Sequence, residues 1–396
     1  MAKKKALTLT LNLNTYQHPH NFFLDHCDEK QDLYEKARKA IIDRRCRINE
    51  QVLNVIQAHG VAGLFINPES TLVAGCSTAH YSYPQKRNTA LHHTRLSDKE
   101  FATIARSLAE GVGVRTTGRI QQVDKKTVLL VLKKAGEHAV KVSRALLKNI
   151  TVQECQLDEM WSFVGKKEKN LNPLEKLQGI MGDAWIWIAF DAVNKIVVAS
   201  VVGKRTLPHA ISLLEEVQRV TAEIPQLFSS DQLDQYKKAL LHVYGVTFHP
   251  PRGPGPGRSP GPRLVPPDNL LYVQVVKQYK KYRVIGVSRK IIFGDPGRIE
   301  DILAASPVSR KINTSYVERN NGIIRHNDAR CVRKTLCFSK LEGNHKCQLD
   351  LSLGYYHLCN PHGTLSKRHG GPTTPFMAAG ITDHVWSMEE LLKAEA

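Results

Sequence analysis

Three acidic residues stand where a predicted strand or helix gives way to loop. Asp158 lies in the β-rich stretch "VQECQLDEMWSFVG", Asp231 follows the short strand "PQLFSS", and Glu318 opens a helix in "NTSYVERNNGIIRH". They are remote along the chain, so only the fold could unite them. Cutting a phosphodiester would give a reason for it to do so. That reaction needs a deprotonated nucleophile and a stabilised leaving oxygen, and two Mg²⁺ ions roughly 4 Å apart, held by carboxylate oxygens, provide both. Taken singly, each acid is ordinary: Asp158 a surface residue, Asp231 a helix cap, Glu318 a first-turn acid favoured by the helix dipole. Spacing does not single out a triad, because Glu159, Asp183, Asp191 and Asp234 compete.

The setting of Glu318 narrows the choice. Every charge that follows it is basic until Asp328, and the whole chain carries a formal charge of +19 with a pI near 9.6. That excess is more than solubility requires and points to a polyanionic partner. With 396 residues, 42% of them apolar, the chain suits a folded protein of two or three domains. It contains no run of 18 apolar residues, so no membrane span is expected. The start, "MAKKKALTLTLNLNTY", alternates in period two and reads as a strand better than as a signal peptide. Eight cysteines without a C-x-x-C pair suggest free thiols in a reducing, cytoplasmic setting. Cys27, Cys46 and Cys76, with His80, His92 and His93 nearby, lack ligand spacing, and structural zinc is not expected.

The elements that would position the acids fall into four regions. Residues 1–96 are irregular, with a helical patch between 30 and 60. Residues 97–150 predict three helices: Ser97 with Glu100 forms a capping box, Gly111 and Gly113 break the chain, and Asp124 caps the third helix. Helix, glycine turn, short helix and longer helix is the layout of a helix-turn-helix, whose last helix meets DNA through its N-terminal residues. Those residues are Lys125, Lys126 and Thr127, with Arg115 and Arg119 on the short helix before them. Residues 151–340 alternate strands and helices, "DAWIWIAFDAV" and "KIVVASVVGK" being two strands and Thr206 a cap for "LPHAISLLEEVQRV". Within them the Pro/Gly-rich loop 249–263 is basic and exposed, and Arg252 and Arg258 could lie along DNA. A Lys- and Arg-studded hairpin follows, then more helix; residues 341–396 form a helical tail.

"LDEMWSFVG", "SSDQLDQYKKAL" and "NTSYVERNNGIIRHNDARCVRKTLCFSK" resemble the three catalytic blocks of the insertion sequence 1 family of DDE transposases. "TDHVWSMEELL" and "VDKKTVLLVLKKAGEHA" are similar to fused members of that group, so the likeness spans roughly residues 95 to 395. It implies an α/β, ribonuclease-H-like mixed sheet preceded by an all-α helix-turn-helix domain. It implies Asp158, Asp231 and Glu318 as ligands of Mg²⁺, with Mn²⁺ an acceptable substitute, and Arg325 as a phosphate contact beside them. Arg319, Arg330, Arg333 and Lys334, with His326, would neutralise the strand on which the helix lies. Such enzymes nick the ends of a mobile element and join the freed 3′-hydroxyl to target double-stranded DNA. Bringing two ends together implies a homo-oligomer on DNA. Two departures stand out: the family's paired-cysteine finger is missing, and Asn320 and Gly322 replace leucines after the Glu-Arg pair. A decayed copy that only binds DNA, or a nuclease that hydrolyses without joining, would share most of these features.

Overall fold

The computed structural model describes residues 65–67, 70–73, 88–252, 260–281 and 283–395. The chain divides into two compact units, Met1–Asn88 and Thr89–Ala396. In the first, β1 (Phe65–Asn67) and β2 (Ser70–Val73) pair antiparallel. The expected N-terminal strand, the helical patch between 30 and 60, the residues Cys27, Cys46, Cys76 and His80, and Arg258 lie outside the described residues.

The second unit opens with three helices. α1 (Asp98–Ala109) starts at Ser97, whose hydroxyl accepts the Glu100 amide while Glu100 accepts the Ser97 amide at 2.8 Å. Phe101, Ile104, Ala105 and Leu108, spaced by three and four, form its buried face. Gly111 then turns the chain at φ +82°, a conformation that favours glycine. α2 (Val114–Ile120) follows, and Asp124 caps α3 (Lys125–Leu146) by accepting the Lys126 amide at 2.8 Å.

β3 (Glu154–Val164) leads through α4 (Pro173–Gln178) to β4 (Gly182–Asp191) and β5 (Ile196–Gly203). α5 (Leu207–Val220), β6 (Leu227–Ser230) and α6 (Asp234–Tyr244) come next, then the short pair β7 (Val246–Phe248) and β8 (Arg263–Val265). β9 (Tyr272–Lys280) and β10 (Arg283–Phe293) form a hairpin. The chain ends in α7 (Pro296–Ala305), α8 (Ser315–Asn327), α9 (Glu342–Leu358), α10 (Gly363–His369), α11 (Pro375–Ala378) and α12 (Met388–Lys393).

Six strands make one mixed sheet in the order β10-β9-β6-β3-β4-β5. β3, β4 and β5 are an antiparallel meander, β6 runs parallel to β3, and β9 runs parallel to β6. This flanked mixed sheet is consistent with a ribonuclease-H-like fold. β4 carries Ile186, Trp187, Ile188, Ala189 and Phe190, all buried, which is the continuous apolar run of a strand covered on both faces. Leu157, Trp187 and Ala189 pack with α5 and α6 on one side; Met160, Ile186 and Ile188 pack with Val317 and Ile324 of α8 and Leu349 and Leu353 of α9 on the other. A third cluster joins Val273 and Val275 of β9 to Ile299 and Leu303 of α7.

Some expectations need adjusting. Thr206 precedes α5 but makes no capping bond; its hydroxyl pairs instead with His209 Nδ1 at 2.9 Å. The basic loop is narrower than expected, because Arg263 already belongs to β8. The stretch 306–314, expected to continue as helix, separates α7 from α8 as an irregular segment pinned by Ser306, Ser309 and Asn313.

Candidate acidic site

The strand register explains why Asp158 and Asp231 meet. Leu157 of β3 lies opposite Ser230 of β6 in a parallel pair, and β6 stops there. Asp158 and Asp231 are the next residues along these two neighbouring strands. Glu159 joins them: one carboxylate oxygen from each of Asp158, Glu159 and Asp231 lies within 4.8 Å of the others. Three half-buried carboxylates so close cannot all ionise easily. Burial, with the charges of Glu159, Asp231 and Glu318, pushes Asp158 up to about 7. Burial also raises Glu159 and Asp231.

Each acid is held by a neighbour. Asn321 donates to Asp158 Oδ2 at 2.7 Å. Tyr236, fully buried on α6, donates its hydroxyl to Glu159 Oε2 at 3.0 Å, and Arg205 pairs with the other Glu159 oxygen while stacking on Trp185. Asp231 accepts the Leu233 amide at 3.2 Å, closing a local turn before α6.

α8 is set against the sheet by Gln156, two residues before Asp158 on β3. Its amide group donates to the Asn313 carbonyl at 2.9 Å and accepts the Val317 amide at 2.9 Å. Glu318 therefore projects from the first turn of α8 toward the acids, and its charge raises both Asp158 and Asp231. It stands outside the close group of three: Lys277 of β9 pairs with it, and Thr314 donates to it at 2.8 Å. Arg325 on the same helix is half-buried and close enough for Asp158 to act on its charge.

The remaining predicted cations differ in placement. Arg319, Arg333 and Lys334 are exposed, Arg319 acting on Lys195 and His362 rather than on the acids. Arg330, expected at the DNA surface, is buried: it donates to Ser339 at 3.1 Å beside Asp328, because the turn after α8 folds inward. Arg115, Arg119, Lys125 and Lys126 are exposed and Thr127 is half-buried; Arg252 is exposed. The rival acids are engaged elsewhere. Asp191 closes the β4–β5 turn on Val193 and Asn194, Asp183 accepts the Glu168 amide, and Asp234 pairs with Lys238.

Glu159, Gln156, Tyr236, Arg205 and Lys277 were not singled out by sequence. Of these only Glu159, adjacent to Asp158, was named at all, as one of the acids competing for the site.

Carboxylate oxygens grouped this closely could hold a hard cation. Oxygen donors at this separation suit Mg²⁺ or Mn²⁺, and the mutual repulsion that raises Asp158 is what a divalent charge would relieve.

No protein-family model matches the chain, and no curated protein matches it. Among solved structures, the crystal structure of the Mos1 strand transfer complex is similar at 11% identity over 55% of this chain and 70% of that one, with a TM-score of 0.15. So weak a likeness leaves the function to be argued from the site itself.

Proposed function

We propose that this protein is a DDE-type DNA transposase, cutting DNA at the ends of a mobile element and joining the freed 3′-hydroxyl to target DNA. The observation that carries the reading is the parallel register that sets Asp158 beside Asp231, with Glu159 within 4.8 Å, on a chain of charge +19. An acid cluster on a basic protein suits a phosphodiester substrate, whose charge the bases attract and whose reacting centre the acids serve.

Asp158, Glu159 and Asp231 would hold Mg²⁺ or Mn²⁺, with Glu318 at the rim, and such an ion supplies charge neutralisation at the phosphate and a more acidic nucleophile. Arg325 would take a non-bridging phosphate oxygen. Asn321 holds the Asp158 carboxylate, and Tyr236 with Arg205 holds Glu159, so the acids keep their places as substrate arrives. In cutting, water forms a bond to phosphorus as the bond to the 3′-oxygen breaks. In joining, that 3′-hydroxyl attacks a target phosphodiester, one ester replacing another with no nucleotide cofactor. The exposed bases of α2 and the start of α3, in a helix-turn-helix role, would hold the element ends.

A second reading is a decayed, DNA-binding copy. Buried Asn320, with neither amide atom partnered by protein, is the mark in its favour. One assay separates the readings: full-length protein, Mg²⁺ or Mn²⁺, and a labelled duplex carrying the element's terminal repeats. Joined products support the transposase; cut but unjoined DNA indicates a hydrolytic nuclease; shifted, uncut DNA indicates the decayed copy. Asp231→Asn should abolish cutting and keep the shift.

A further inference from the structure

β9 and β10 extend beyond the rest of the sheet. β6 pairs with β9 only at Tyr272, Val273 and Gln274, whereas β9 and β10 stay paired as far as Lys280 and Arg283. The distal half is thus a two-stranded ribbon without a strand on either side among the described residues. It carries Lys277, Lys280, Lys281, Arg283, Arg289 and Lys290 and no acid between 272 and 293. Its apolar side chains are unusually open, with Ile285 63% and Val284 50% exposed. A long edge strand with such side chains is a pairing hazard unless something covers it.

The ribbon's root is fixed at the acidic site. Lys277 pairs with Glu318, and Arg289 donates to the Ile312 carbonyl at 2.8 Å, tying the hairpin to the segment that leads into α8. A register shift between Val284 and Gly286 leaves Ile285 without an opposite residue, which bends the strand near its tip.

We infer that the β9–β10 ribbon is a second DNA-binding surface, which lies in a groove of the duplex flanking the strand held at the acids. The inference rests on the proposed function for its polyanion, and on the ribbon for its contact. The major groove, about 12 Å wide, admits a two-stranded ribbon. The tip cations Lys280, Lys281 and Arg283 meet phosphates, and Val284, Ile285 and Val287 pack against base edges. A second copy of this chain is the other candidate cover. Symmetric antiparallel pairing of β10 with β10 would bring two strands together that carry Arg283, Arg289 and Lys290 and no acid, and this repulsion disfavours it.

The test uses full-length protein without divalent cation and a fluorescent duplex of random sequence, titrated across a salt series. Lys280→Ala/Lys281→Ala/Arg283→Ala should weaken binding about tenfold or more and lower the slope of log affinity against log salt by about 3. Ile285→Ser/Val287→Ser should weaken binding with the slope unchanged. Affinity within twofold of wild type and an unchanged slope in the triple variant would overturn the inference. So would a variant that turns a dimer into a monomer in sedimentation while binding DNA normally. Asp231→Asn, assayed separately with Mg²⁺ on the terminal-repeat duplex, serves as the separating control: if it still cuts, the acid assignment fails while the ribbon result stands.

Discussion

Asn321 Nδ2 lies 2.7 Å from Asp158 Oδ2, one helical turn beyond Glu318. This hydrogen bond ties α8 to the acid pair by way of the Asp158 carboxylate. Asn321 is buried, so its amide cannot be replaced by bulk water without cost. Asn321→Ala should lower cleavage about 10- to 100-fold, the usual scale for a residue that orients a ligand, while DNA affinity in a gel shift stays near wild type. Equal loss of binding and cleavage would show that Asn321 supports the helix rather than the carboxylate.

The neighbouring Asn320 is the opposite case. It is 2% exposed, and neither its oxygen nor its nitrogen has a protein partner. Leaving such an amide buried costs about 1–3 kcal/mol, and leucine has nearly the same shape. Asn320→Leu should therefore stabilise the protein by about that amount in urea unfolding, without changing cleavage. A loss of stability would mean that the amide has a partner in solution, such as an ordered water.

Divalent cations should stabilise the fold through the acids. Mg²⁺ should raise the melting temperature by about 2–4 °C for each kcal/mol of linked binding energy. Asp231→Asn should melt above wild type without the ion, since one of the repelling carboxylates is gone, and should gain little when it is added. Differential scanning fluorimetry with and without the ion reads both effects; an equal Mg²⁺ response in the variant would remove Asp231 from the cation site.

Much of this was legible because local rules were enough. The Ser97–Glu100 box, the Asp124 cap and the apolar runs of β4 and β5 each declare themselves within a few residues. Residue type and position made Asp158 and Asp231 candidates among several acids, and only the likeness to transposase blocks preferred them; their union depends on the β3–β6 register, which no local pattern encodes. Glu159 stood among the competing acids, and alternation along a strand sends neighbouring side chains to opposite faces. β6 ends at Ser230, so β3 beyond Leu157 has no partner on that side, and Glu159 can reach Asp231 around the strand end. The burial of Arg330 was hidden for a similar reason: its partner Ser339 and the nearby Asp328 are brought together by a turn that composition does not announce.

Two buried histidines give the fold a testable pH dependence. His345 sits between Ser162 at 2.9 Å and Ser339 at 3.1 Å, and burial, reinforced by Arg330, lowers it to about 4. The folded form binds its proton less readily than the unfolded chain. The stabilisation is therefore full above the unfolded value near 6.5 and is lost as pH falls toward 4. Asp158, raised rather than lowered, acts in the reverse sense, so the total stability curve mixes both signs. The difference between wild type and His345→Gln isolates the histidine: it should shrink by about 2 kcal/mol from about pH 7.5 to about pH 5. A difference independent of pH would mean that His345 is not held neutral. His357, which accepts the Val197 amide at 3.0 Å and is lowered to about 3 by burial, should show the same trend in His357→Gln.

Two of the mid-helix glycines, Gly136 and Gly322, should respond to alanine in opposite directions. Helix propensity alone favours alanine by about 1 kcal/mol at either position. At Gly322 of α8 an added Cβ meets nothing within 4 Å, so propensity decides and Gly322→Ala should stabilise by about that amount. At Gly136 of α3 the Cβ would stand 2.2 Å from the Cys347 carbonyl oxygen of α9, a backbone atom that cannot swing aside. Separating the helices would open the contact in which Gly354 also approaches Ala139, its own Cβ falling 2.9 Å from that methyl. The overpacking cost of about 1–3 kcal/mol or more outweighs the propensity gain, and Gly136→Ala should destabilise. Urea unfolding of both variants checks the pair. A stabilised Gly136→Ala would show that α3 and α9 pack less closely than their backbones indicate.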